Sequence, residues 1–213
     1  MYFNTVAPLL REILEASMND AIFNPFRLVG GTALSLQLGH RESVDIDLFT
    51  DAEYDTIKLP PIDHFFKSHY SYVDTNAGLH IESGVSYYVG NSDTDAIKID
   101  IYHTEPFIRP VVEKEHIRMA SLEDIVGMKL EVIGHSGRKK DFWDIHELHD
   151  HFSIPIMTAL YLEKYPYGHS AAEIRNKLTD FSYADDDFEP ICLKGKHWEL
   201  IKLDLIEWEN SEK

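Results

Sequence analysis

LVGGTALSLQLGHRESVDIDLFT, residues 28–50, is the stretch on which the reading of the chain turns. A short apolar run, residues 26–29, reads as a buried strand, and Gly30, Gly31 and Thr32 follow it. Residues 33–38 make a helical turn or two, with Leu34 and Leu38 on one face. Gly39 and a charged turn at 40–43 lead into a second strand, residues 44–49. Alternate residues of a strand share a face. Val44, Ile46 and Leu48 therefore point one way, and Asp45, Asp47 and Phe49 the other. Two neighbouring carboxylates repel, and taking either out of water is costly. A divalent cation between them removes both difficulties. Hard oxygen ligands two residues apart suit magnesium, which takes few carboxylates together with substrate phosphates. Gly30 and Gly31 let backbone N–H groups approach a phosphate, and the helix after them presents its positive end. The stretch reads as phosphate cradle, short helix, turn and metal-binding strand. The bland alternative is a plain turn and two exposed aspartates on an edge strand.

Further along, residues 70–75, 79–89 and 96–103 read as three strands of an antiparallel meander, with turns at 76–78 and 90–95. In the third, isoleucines 97, 99 and 101 share one face, and Lys98, Asp100 and Tyr102 share the other. If this strand lies beside residues 44–49, Asp45, Asp47 and Asp100 converge on one metal site of the kind used in two-metal phosphoryl or nucleotidyl transfer. Otherwise Asp100 simply faces solvent. Elsewhere in this half, residues 5–20 form an amphipathic helix that Thr5 can cap, with Pro8 in its first turn. Pro60 and Pro61 start a helix over 62–69, and 116–119 make a short strand.

Ser121, with Asp124 three residues on, resembles a capping box that opens a helix running to about Ile133 and stopping near Gly134. Lys129 lies within its apolar stripe. A lysine there either snorkels to solvent or meets an anion. On both readings Lys129→Met leaves the empty protein as stable as before, or more so. Arg138, Lys139 and Lys140 form the densest basic run of the chain and lead into a helix beginning near Asp141. A carboxylate in a first turn is favoured by the helix dipole alone, so the residues themselves do not choose between Asp141 and Asp144 as the functional one. His146, His149 and His151 could hold zinc, but with no cysteine nearby they read as structural. Helices over 154–165, 171–178 and around 196–208 complete the chain, with an acidic loop between the last two.

The chain has 213 residues and a hydrophobic fraction of 44%, enough for a sizeable core. No apolar run is long enough for a membrane span, and the first residues lack the pattern of a signal peptide. The single cysteine, Cys192, fits a reducing, cytoplasmic setting. A net charge of −17, from 37 acidic and 20 basic residues, repels nucleic acid at long range and argues against a DNA-binding groove. It favours a small substrate, or a nucleic acid touched at one end. A soft boundary near Ala120 divides a sheet-rich part, residues 1–120, from a helical part, 121–213, that closes the cleft.

Gly-Gly-Thr followed by Arg41-x-Ser43-x-Asp45-x-Asp47 resembles the first motif of the nucleotidyltransferase superfamily. More narrowly, residues 30–49 resemble the AbiEii-type nucleotidyltransferase family, which contains many toxins of toxin–antitoxin pairs. MKLEVIG at 128–134, RKKDFWDIHEL at 138–148 and the helical tail extend the resemblance over nearly the whole chain. It implies an α/β (α+β) nucleotidyltransferase fold with a mixed, mostly antiparallel sheet. It further implies metal-dependent transfer of a nucleoside monophosphate from a nucleoside triphosphate to an acceptor hydroxyl. Asp45, Asp47 and Asp100 would bind magnesium or manganese. Gly30, Gly31, Thr32 and Lys129 would serve the triphosphate, and Arg41 and Ser43, in the same nucleotide-binding set, would orient the loop. Asp141 would act in the active site, while Asp144 orders the basic residues. Implied partners are a cognate antitoxin and an acceptor RNA or protein. A small-molecule acceptor, or a non-catalytic nucleotide- or antitoxin-binding module on the same fold, are the alternatives.

Overall fold

The alternation read in residues 44–49 and 96–103 becomes the centre of a sheet. In the computed structural model, which describes residues 1–54, 56–75 and 84–212, β2 (Asp45–Thr50) and β5 (Asp95–His103) run parallel. Ile46 stands opposite Ile99, Asp47 opposite Asp100 and Leu48 opposite Ile101. A slip of one residue would turn every one of these side chains to the wrong face, so burial of the four apolar ones fixes the register. β5 pairs antiparallel with β4 (Gly84–Ser92), and β4 with β3 (Tyr72–Thr75), which is the expected meander. The turn read at 76–78 and the first part of the strand read at 79–89 lie outside the described residues. On its other side β2 pairs antiparallel with the short β1 (Arg27–Leu28). β1 runs parallel to β7 (Ile117–Met119), which forms a hairpin with β6 (Val112–Lys114). Among the described residues the order is β3-β4-β5-β2-β1-β7-β6 in a mixed, mostly antiparallel sheet. Val44 does not join Ile46 and Leu48 in the core. It precedes the strand and is 72% exposed.

Helices cover this sheet. α1 (Pro8–Asn19) buries Leu10, Ile13, Leu14 and Met18. Thr5 is not its cap. Thr5 belongs to a separate 3₁₀ turn and donates to the Tyr2 carbonyl at 2.7 Å, while Ala7 stands at the cap position with no side-chain bond. Pro8 makes this tolerable, because the first helical position lacks a partner for an N–H in any case. α2 (Gly30–Leu38) starts at the glycines themselves and ends on Gly39 at φ +69°, the left-handed stop that glycine favours. α3 (Leu59–His69) keeps its prolines in the first turn.

The strands all precede Ala120, and the remaining helices follow it: α4 (Leu122–Ser136), α5 (Lys139–Leu148), α6 (Ile154–Lys164), α7 (Ala171–Lys177) and α8 (Trp198–Ser211). α4 is the hub, packing on α2, α5, α6 and α7. It runs through Gly134 to Ser136. A Cβ at Gly134 would come 2.6 Å from the His169 ring, so this glycine serves a close approach and not a stop. Trp143 of α5 stacks on Trp198 of α8, with Phe142 and Phe181 edge-on to Trp198. None of the described helices is long and apolar enough to cross a membrane.

Ser121 caps α4, accepting the Asp124 N–H at 3.1 Å, but Asp124 does not return the bond to the Ser121 N–H. Its carboxylate is wholly buried and accepts from Ser121 Oγ, from the N–H groups of Ile108 and Arg109, and from Lys164 at 3.4 Å. This knot fastens the segment after β5 to α4 and α6. Burial pushes the Lys164 ammonium below its usual range even beside Asp124. Asp124→Ala leaves that ammonium buried with carbonyls and aromatic rings but no anion, at an expected cost of about 3–5 kcal/mol in urea denaturation. Adding Lys164→Met should recover part of the loss.

Candidate active site

Asp45 and Asp47 on β2 and Asp100 on β5 line one open cleft of about 380 Å³. Gly30 and Gly31 at the start of α2, Lys129 of α4 and Asp141 of α5 line it too. The sequence of Gly30 is dictated here. Its φ is +66°, and a Cβ would stand 2.5 Å from Asp47 Oδ2. Only glycine lets the backbone pass so close to that carboxylate. The Val29 N–H donates to the Asp47 carbonyl at 2.9 Å and fixes the approach.

The three carboxylates are not equivalent. Asp100 accepts from Lys98 Nζ at 2.5 Å on one oxygen and from Ser86 Oγ at 2.6 Å on the other. Asp45 lies 3.4 Å from Lys140 Nζ. Among the described residues no basic group is within ion-pair distance of Asp47. Burial first, then the charges of Asp45 and Asp100, push its carboxyl up to about 7, with Lys129 and Lys140 pulling the other way. The donor set is hard oxygen with uncompensated charge at its centre, which fits a divalent cation. Yet no three His, Cys, Asp or Glu side chains among the described residues are already disposed around one metal position.

Beneath the cleft lies a second layer. Asp144 is fully buried and accepts from Arg41 Nε at 2.6 Å and Nη2 at 2.8 Å, from His40 Nε2 at 2.8 Å and from Lys129 Nζ at 2.6 Å. Burial resists its charge, but Arg41 and Lys129 hold its carboxyl well below the usual range. Gly31 is glycine because the Arg41 guanidinium fills the space a Cβ would need. The Thr32 hydroxyl meets Ser43 Oγ at 2.8 Å and the Asp45 carbonyl at 2.5 Å. Thr32, Arg41 and Ser43 are therefore buried under the cradle, where they set its shape.

Lys129 does not snorkel. Its side chain is 7% exposed, and its ammonium sits 2.7 Å from Asp141 and 2.6 Å from Asp144. Burial opposes the charge, yet those two carboxylates prevail and its pKa is pushed up to about 12. The anion in the apolar stripe is thus supplied by the chain itself. Asp141 has two functions: one oxygen accepts the Arg138 N–H at 3.0 Å at the start of α5, and the other holds Lys129. Asp144 orders Arg41 and Lys129, and not the run 138–140. In that run Lys139 is buried towards the Asp185 carbonyl and Trp198, while Arg138 and Lys140 line the cleft. His146 and His149 bond Asp204 and Glu212, each at 2.9 Å, and join α5 to the end of the chain. Sequence reasoning gave no role to Lys98, Ser86 or Lys140. Lys98 was the findable one, since it shares a strand face with Asp100.

Two outcomes follow for the empty protein. Lys129→Met takes from Asp141 its ion-pair partner and from Asp144 one of its two cations, and is expected to lower stability by about 3 kcal/mol, the reverse of what a snorkelling lysine implies. Urea denaturation with EDTA decides it. For Asp47 the folded pKa, about 7, lies above the unfolded value of about 3.9. Its contribution is therefore full below about pH 4 and is lost as pH rises towards 7. Asp47→Asn should stabilise the metal-free protein at pH 8, by up to about 4 kcal/mol, and leave it unchanged near pH 4.

The sequence and the fold have counterparts. A model of the family described as "Nucleotidyl transferase AbiEii toxin, Type IV TA system" matches residues 12–191. An uncharacterised protein of Aquifex aeolicus is 34% identical over 143 residues, and the match spans 63% of this chain and 63% of the length of that protein. A candidate nucleotidyltransferase from H. pylori is similar in structure, with a TM-score of 0.60 at 20% identity over 94% of this chain and 90% of its own. MenT4, a nucleotidyltransferase toxin from Mycobacterium tuberculosis, gives a TM-score of 0.53 at 10% identity over 95% and 83%. At such identities the two structures speak for the fold, while the family match runs through the cradle, the carboxylate strands, Lys129 and Asp141. The chain has a nucleotidyltransferase fold and belongs to the AbiEii nucleotidyltransferase toxin family.

Proposed function

We propose that this protein is a metal-dependent nucleotidyltransferase, and that it acts as the toxin of a toxin–antitoxin pair in the cytoplasm. The observation that carries the reading is the face shared by Asp45, Asp47 and Asp100 opposite Gly30. Asp45 and Asp47, completed by Asp100, would hold magnesium or manganese. The metal would neutralise phosphate charge and polarise the reacting phosphorus centre. The N–H groups at the start of α2 receive the triphosphate, helped by the positive end of the helix. Arg138 and Lys140, which line the same cleft, add charge for phosphate oxygens. The acceptor hydroxyl oxygen bonds to the α-phosphorus as the bond to the bridging oxygen of the β-phosphate breaks. Asp100 would lower the acceptor hydroxyl's pKa through the metal it helps to hold, or take its proton, and pyrophosphate leaves with the electron pair.

Lys129 serves this chemistry from below. Its ammonium fixes Asp141 at the cleft wall and keeps positive charge under the phosphates. The acceptor is an RNA or protein hydroxyl, as the toxin family suggests. The net charge of −17 favours the other reading, a small-molecule acceptor. Incubation with each labelled triphosphate and magnesium, against total RNA, against the protein itself and against small hydroxylated compounds, separates the two. Calorimetry should show a triphosphate binding at least about tenfold tighter with magnesium than with EDTA. Asp45→Asn and Asp47→Asn should each abolish transfer with the fold intact by circular dichroism. Equal affinity with and without the metal, or transfer at the parent rate in either variant, sinks the reading.

A further inference from the structure

Lys98 has no part in the reaction just described, yet it makes the closest contact to its carboxylates. It lies two residues before Asp100 on the same face of β5, so the strand itself builds the pair. Across the sheet its register partner is Asp45, and that of Asp100 is Asp47. The lysine stem thus rises at the edge of the carboxylate group and bends its ammonium onto one member. On the β4 side, Ser86 is the register partner of Asp100 and donates to its other oxygen, while also lying 3.1 Å from the Tyr102 hydroxyl. Both oxygens of Asp100 are engaged by donors of the chain.

We infer that Lys98 is a built-in counter-cation, which occupies Asp100 in the metal-free protein, yields it to the divalent cation and then turns to the triphosphate. The inference rests on the metal–nucleotide reading above. Three arguments carry it. Asp45, Asp47 and Asp100 without any cation would repel one another, and Lys98 with Lys140 supplies positive charge to two of the three. The Lys98 side chain is 41% exposed, so the pair with Asp100 is a weak one that a divalent ion can displace. And an ammonium 2.5 Å from a carboxylate oxygen is repelled by a doubly charged ion on the same group, which favours its departure. Displaced, the ammonium remains on a flexible stem at the lip of the cleft that is to hold the phosphates.

The test is calorimetry on the whole chain, parent against Lys98→Met, Lys98→Arg and Ser86→Ala. The titrants are magnesium alone and magnesium with each of the four ribonucleoside triphosphates. Methionine keeps the stem and removes the charge. Magnesium alone should bind Lys98→Met about two- to fivefold tighter than the parent, the reach of an exposed ion pair. Magnesium–triphosphate should bind it about tenfold weaker, for want of a charged donor to phosphate. Lys98→Arg should restore most of the triphosphate affinity. Ser86→Ala removes a neutral donor and should leave magnesium within about twofold of the parent. A melting temperature for each metal-free variant shows that it is folded. Magnesium affinity unchanged or weaker in folded Lys98→Met overturns the inference. So does a triphosphate affinity equal to the parent's, or a Ser86→Ala gain as large as that of Lys98→Met. If the parent itself binds no magnesium, the metal reading fails and this inference with it. If the parent binds and the variants do not differ, the inference alone fails.

Discussion

Asp144 sits with no exposed surface in the middle of four donors, which three residues in two parts of the chain supply. An ionised carboxylate in that position is tolerated only because every lone pair finds a partner, two of them cationic. The arrangement adds little to stability, since the desolvation of three charged groups offsets much of their attraction. What it supplies is geometry. Arg41 meets the carboxylate through two parallel bonds, which fix the plane of the guanidinium. That plane lies against Gly31, so the height of the glycine cradle above the floor is set by a residue of α5. The sheet-bearing and helical parts of the chain are thereby locked in one relation, and the cleft lies on the seam.

Above this floor, charge is distributed by depth. Lys129 is buried between Asp141 and Asp144. Lys140 and Lys98, 25% and 41% exposed, approach Asp45 and Asp100 from the rim. A buried lysine between two fixed carboxylates has no freedom to follow a ligand. A rim lysine on a flexible stem has. The deep pair therefore shapes the wall, and the shallow ones can exchange partners. The cleft lining has acidic and basic residues in nearly equal number, whereas the chain has 37 acidic and 20 basic, so the local field differs from that of the whole surface.

Strand alternation made the carboxylate face legible, because a period of two needs no knowledge of the fold. The pairing of β2 with β5 is not legible in the sequence, since no local signal names the neighbour of a strand. The glycines were legible as positions of close backbone approach, but the start of α2 at Gly30 was not, as propensity places glycine outside helices. Thr32 reads as a ligand contact, and Arg41 and Ser43 as residues of the same site that orient the loop, because they are polar residues within a motif. Their burial is a tertiary fact, produced by Asp144 and the Asp45 carbonyl. The same limit explains Gly134, which punctuates a sequence but in the fold makes room for His169.

Asp141 and Asp144 show why a motif can locate a site and still leave its parts undivided. Both are acids on the first two turns of one helix, and helix-dipole reasoning favours either. Three residues of separation turn them through most of a turn, so they lie near the same face but at different depths. At the first turn, Asp141 has one oxygen free of the cap and reaches the cleft. One turn deeper, Asp144 meets only protein. Lys129 touches both, so neither acid can shift without the other. The division of labour between two similar side chains is then a consequence of depth along the helix, with the lysine as the link that makes a change at the floor felt at the wall.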